Sequence, residues 1–268
     1  MNDTEPIHEE EPRPVPEASS EQPKSAPAEP PPREPFWGYF DLVLFIGLTL
    51  PCMMFGMLAV KALMWIFHFH TSVQLLELLP EQILGYALLF GALRLIFRLE
   101  YDRPFWGSLG WTPIGVAPGL VASAGIVAAF GVILAGMLIH LPEGPNRMTD
   151  LLLQGKFSLV LLAAFGVGIA PLCEELAFRG FLQPLLVRTF GAVPGILIPA
   201  VAFGLLHFQE YGNSWRHALL LSGAGAGFGA MRHYTRSTKA AVLMHASYNA
   251  VLFVLLALAL ATGKGLHS

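Results

Sequence analysis

FSLVLLAAFGVGIAPLCEELAFRGFLQPLLV, residues 157–187, sets the class of this molecule. The run is free of charge up to Cys173 and then places Glu174, Glu175 and Arg179 amid apolar residues. A bilayer core ~30 Å thick needs about 20 mostly apolar helical residues to cross it. Ionisable groups inside such a crossing are expensive, ~2.5–3.5 kcal/mol for Asp, Lys or Arg at a helix centre, so they need partners or a task. The run is therefore read as a membrane helix that starts near Phe157 and reaches the acidic pair. From there it either continues as one long helix towards Val187 or breaks near Pro171.

The same length test, applied outward, marks further crossings at 39–69 (with Pro51 as a kink), 80–99, 117–141, 193–208, 217–231 and 240–262. That makes about seven crossings, or eight if the central run is two elements. Composition agrees: 54% of the 268 residues are apolar and 13% are charged, about half the charge of a soluble domain. With a mean hydropathy of +0.56, the chain has too little polar surface to face water on all sides. The expected architecture is an all-α, polytopic transmembrane helix bundle. Residues 1–35 are rich in Pro, Glu and Ser, cannot bury enough apolar area to order themselves, and are read as a disordered tail ahead of a transmembrane domain over 36–268.

The net charge of −3 is dominated by that acidic tail, and no basic run points to nucleic acid. Cys52 and Cys173 both sit in apolar stretches, which excludes a disulfide framework or a CxxC metal motif. Lys and Arg in short loops orient the bundle. The loop at 70–79 has none, whereas Arg94, Arg98 and Arg103, and then Arg232, Arg236 and Lys239, mark the inner side. The N-terminus is then cytoplasmic, and Arg147, Lys156 and Arg216 fall on the other side. Gly223, Gly225, Gly227 and Gly229 contain a formal GxGxxA match ending at Ala230, but no strand precedes it, and close helix packing through small residues explains it better.

Three polar clusters interrupt the apolar segments. In Glu174-Glu175-Leu-Ala-Phe-Arg179, four residues advance about 400° on a helix, so Glu175 and Arg179 share a face while Glu174 points about 100° away. One carboxylate can be a neutralised anchor and the other a base facing a cavity. Phe203 and His207 are four apart and share a face, as do His245 and Asn249 in the last crossing. Taken singly, each cluster has an ordinary explanation: an interfacial ion pair, a helix-end histidine, or hydrogen-bond glue between helices. Together, a carboxylate and imidazoles on three crossings could orient and deprotonate a water, or hold a zinc ion through Glu174, His207 and His245 with one position open. HExxH and GxSxG are both absent from the sequence.

Glu174-Glu175…Arg179, Phe203…His207 and His245…Asn249, in this order, read EExxxR, FxxxH and HxxxN. The chain resembles the CAAX-protease and bacteriocin-processing (Abi, type II CAAX prenyl endopeptidase) family over residues 157–256. The resemblance implies a helical membrane bundle with a conical cavity open towards the cytoplasm and the bilayer. It also implies an endopeptidase acting on a peptide or protein in or at the lipid bilayer, possible substrates being a prenylated C-terminus or a bacteriocin precursor. Glu174 and His207 would activate water, His245 and Asn249 would form the oxyanion hole, and Glu175, Arg179 and Phe203 would shape the site. Either no cofactor or a divalent metal such as zinc fits this family, with the metal-free glutamate mechanism preferred. The expected location is a bacterial cytoplasmic membrane. Residues 1–141 carry none of the resemblance. The competing classes are a non-catalytic membrane immunity or partner-binding protein on the same scaffold, and a transporter using Glu and His as a proton path.

Overall fold

The computed structural model describes residues 34–141, 150, 151 and 155–262. The proposed tail up to residue 33, and Arg147, lie outside these. Among the described residues eight helices follow in order: α1 Tyr39–Ile66, α2 Leu75–Leu99, the single turn α3 Phe105–Ser108, α4 Pro118–Leu138, α5 Lys156–Phe190, α6 Ala192–Leu206, α7 Trp215–Thr235 and α8 Thr238–Ala261. Among the described residues there is no strand.

Five of these helices (α1, α2, α4, α5 and α8) are long and apolar enough to span a bilayer. Against the seven or eight crossings expected, five helices of full span stand among the described residues. At 15 residues α6 reaches only about 22 Å. The 21-residue α7 carries Arg216 and His217 at one end and Arg232 and His233 at the other. Large apolar side chains such as Phe40, Leu50, Trp65, Leu99, Val127 and Leu138 project outward from α1, α2 and α4. Water would oppose that surface and hydrocarbon would not. The molecule is an integral membrane protein.

α5 is continuous, which decides between the two readings of the central run. Pro171 does not break it. A π-helical turn, Phe165–Ile169, comes just before the short α-helical stretch Ala170–Glu175 that holds Pro171. A second π turn, Leu176–Leu182, comes just before the stretch that holds Pro184. Proline has no N–H to donate and its ring crowds the carbonyl four residues back. A wider turn ahead of each proline gives that carbonyl room, and π turns of this kind occur mostly at functional sites.

Helices approach closely where glycines leave space. A Cβ on Gly204 of α6 would collide with the Ala218 carbonyl and Ser222 of α7, and one on Gly125 of α4 with the Met244 carbonyl of α8. Two glycines of the α7 stripe do more than pack. Arg179 Nη2 donates to the Gly225 carbonyl at 2.7 Å, and Gln183 Nε2 donates to the Gly229 carbonyl at 2.9 Å. Both pairs are four residues apart, so two polar rungs tie α5 to α7.

One end of the bundle is closed by a connected set of contacts. Trp37 is buried, donates from Nε1 to the Phe181 carbonyl at 3.2 Å and stacks on Phe97 and Phe181. Arg188 reaches the carbonyls of Pro35 and Trp37. Asp41, in the first turn of α1, accepts from the Gly38 N–H and from the Tyr101 hydroxyl, each at 2.8 Å. Thr238 donates to the Leu109 carbonyl at 2.6 Å, and Lys239 lies over the Trp111 ring.

Candidate functional site

Glu175 and Arg179 form the buried base of the site. Neither is exposed, and Nη1 of Arg179 donates to Oε1 of Glu175 at 2.8 Å. The guanidinium is wrapped by the rings of Phe178, Phe203 and Phe228, with centroids 5.0–5.6 Å away. Gly225 makes this possible, since a Cβ there would stand 3.0 Å from Nη2 of Arg179 and 3.2 Å from the Phe203 ring.

His245 on α8 is held from two sides. Its ring stacks on Phe228, with centroids 4.4 Å apart. A carboxylate oxygen only accepts, so His245 donates from Nδ1 to Oε1 of Glu175, at 2.9 Å. This fixes the ring orientation and leaves Nε2 directed towards Glu174, whose Oε2 is 3.8 Å away. In the neutral ring Nε2 carries a lone pair and becomes a donor only in the imidazolium.

Glu174, unlike its neighbour, is partly accessible, with a side-chain exposure of 20%. It lines a cavity of about 470 Å³ together with Phe203, His207, His245 and Asn249. His207 caps the end of α6 rather than sitting inside a crossing. Its Nδ1 donates to the Phe203 carbonyl at 2.8 Å, which leaves Nε2 free. Among the described residues, the ion-pair contact Glu174 makes with a histidine is with His245 and not with His207. Asn249 spends one N–H on the Gly166 carbonyl, at 2.6 Å, within the first π turn of α5. An amide nitrogen has two hydrogens, so a second donor is left.

Glu174, His207 and His245 are not gathered as a metal-ligand set. Among the described residues no group of three or more His, Cys, Asp or Glu side chains is placed to hold an ion. Both histidines spend Nδ1 on other partners and keep Nε2 for the cavity.

Sequence reasoning missed part of the lining. Gln82 and Tyr86 of α2, and Glu210, Tyr211 and His217 at the α6–α7 connection, also face the cavity. Tyr211 and His217 stack with centroids 5.1 Å apart. Burial, and then the carboxylates of Glu210 and Glu174, push the Tyr211 phenol up to about 12, so it stays a donor at neutral pH. The available signals were Gln82 and Tyr86, four apart in an apolar helix, and Glu210, three residues beyond His207. Residues before 142 contribute more than the motifs suggested, since Leu75, Leu79, Val132 and Ile133 supply apolar wall.

Residues 156–251 match the family model described as Type II CAAX prenyl endopeptidase Rce1-like. No curated protein and no solved structure matches the chain.

Proposed function

We propose, from the premise that residues 156–251 form an Rce1-like domain, that this membrane protein is an intramembrane endopeptidase that hydrolyses a peptide bond with a carboxylate-activated water. The observation that carries the reading is the division of labour between adjacent acids. Glu175 is sealed and neutralised by Arg179, while Glu174 faces a cavity it shares with two histidines.

Water enters between Glu174 and Nε2 of His207. Glu174 takes its proton, and the oxygen attacks the carbonyl carbon of the scissile bond. The negative charge that develops on the carbonyl oxygen is met by Nε2–H of the His245 imidazolium and by the second N–H of Asn249. Glu174 then passes the proton to the leaving nitrogen as the C–N bond breaks. Glu175 acts at one remove, holding His245 and balancing its second proton. The apolar wall suits a substrate that brings hydrocarbon with it, a membrane-associated peptide that is prenylated or bacteriocin-like.

The test is cleavage of a peptide library by purified protein in lipid nanodiscs. Glu174→Gln should lower turnover at least about 100-fold, the scale of a general base, with no change in expression or helicity. Undiminished cleavage by that variant would remove Glu174 as the base. A biological activity that survives the substitution, with no cleavage by the wild type, would mark a non-catalytic immunity or partner-binding protein.

A further inference from the structure

A second cavity, of about 440 Å³, lies where the last turns of α5 meet the end of α7. Three arginines line it: Arg188 of α5, Arg232 in the last turn of α7 and Arg236 just beyond it. The peptide-cleaving chemistry uses none of them. Elsewhere an arginine has its own carboxylate, since Arg179 pairs with Glu175 and Arg98 with Asp102, each at 2.8 Å. Among the described residues no carboxylate pairs with Arg188, Arg232 or Arg236, although Glu34 lines the same cavity. Neutral acceptors hold two of the three instead. Arg188 donates to the carbonyls of Pro35 and Trp37. Arg232 donates from Nε to the Thr238 hydroxyl at 2.9 Å, and its guanidinium fills the space beside Gly110, where a Cβ would collide with Nη2. Such bonds fix position without cancelling charge, and a guanidinium with five N–H groups keeps several for a ligand. Two further polar atoms of the lining, Nε of Arg179 and Oε1 of Gln183, are buried with no partner among the described residues.

Helix dipoles favour a cation at the end of α5 and at the end of α7. They do not account for Arg236, which lies beyond α7 at φ 54° and joins the same cavity. Oriented guanidinium groups with uncancelled charge match a small anion with several acceptor oxygens, and phosphate is the group whose geometry suits their fork of donors. We propose that this cavity binds a phosphate group through Arg188, Arg232 and Arg236. The group arrives on an anionic phospholipid or as free phosphate. Tyr39, Trp106 and Tyr234 are exposed near these arginines, and Tyr39 donates to Thr189, beside Arg188, at 2.9 Å. Such aromatic side chains sit at the depth of lipid headgroups, which favours the lipid as the source. Occupancy of the cavity is read by binding alone, without cleavage at Glu174.

The full chain in a non-ionic detergent is titrated with short-chain phosphatidylglycerol, with short-chain phosphatidylcholine and with inorganic phosphate at matched ionic strength, and Kd is read from the rise in melting midpoint. The side chain of Arg236 is exposed and bonds to no described residue, so Arg236→Gln is expected to melt as the wild type does in the absence of ligand. Its Kd should rise at least about tenfold, the scale of one lost charge-assisted contact. Arg236→Lys, which keeps the charge, should lose less. Arg98→Gln removes an exposed arginine outside the cavity and should leave Kd unchanged. Tighter binding of phosphatidylglycerol than of phosphatidylcholine supports the lipid source, and saturable binding of inorganic phosphate alone supports the free one. No saturable binding of any of the three, phosphatidylcholine bound as tightly as phosphatidylglycerol with no response to inorganic phosphate, undiminished affinity in Arg236→Gln, or an equal loss in Arg98→Gln overturns the proposal.

Discussion

His245 already donates its Nδ1–H to Glu175, so any hydrogen bond it donates into the cavity needs a second proton, on Nε2. Glu174 must at the same time be ionised to act as a base. The ionisable groups around His245 are Glu174, Glu175 and Arg179 from α5 and His207 at the end of α6. Two opposite protonation requirements predict a bell-shaped pH profile of kcat/KM, one limb set by Glu174 and the other by His245. In Glu175→Gln the amide oxygen still accepts from Nδ1, but the negative charge that favours the imidazolium is gone. The limb set by His245 should then move to lower pH, read by peptide cleavage across pH, with a detergent melt as the control for folding. An unmoved limb would mean that His245 works as a neutral ring. The sequence made these residues visible because ionisable groups in apolar helices are costly. It did not reveal that Asn249 commits one N–H to Gly166, because that bond joins residues 83 apart.

At the scale of elements, the α5–α7 contact depends on what two glycines omit. Gly225→Val should push Arg179 off its carbonyl and crowd Phe203, a destabilisation of about 1–3 kcal/mol of the kind overpacking gives. It should appear as a lower melting midpoint in detergent together with lost activity. Gly223→Ala on the same helix meets nothing within 4 Å and should be neutral or slightly stabilising, by up to ~1 kcal/mol from helix propensity. Equal melts for the two variants would show that the Arg179 slot contributes nothing. Hydropathy alone could not choose between one helix and two around Pro171. The choice is made by the π turn ahead of it, a backbone adjustment that periodicity does not encode.

At the scale of the whole molecule, the outward apolar faces of α1, α2 and α4 predict retention in the membrane pellet after high salt or alkaline carbonate, with release only by detergent. Recovery in the soluble fraction would contradict the bundle. The sequence by itself determined the helical class, the membrane solvent and the identity of the acids and imidazoles that stand out in it. These follow from composition, segment length and the local cost of charge, which each stretch carries without reference to any other. The tertiary structure decided the rest: that α6 and α7 fall short of full apolar spans, and that Gln82, Tyr86, Glu210, Tyr211 and His217 join the cavity wall. Those outcomes depend on which helix faces lie against each other, and contacts between residues far apart in the chain are settled by packing rather than by any local pattern.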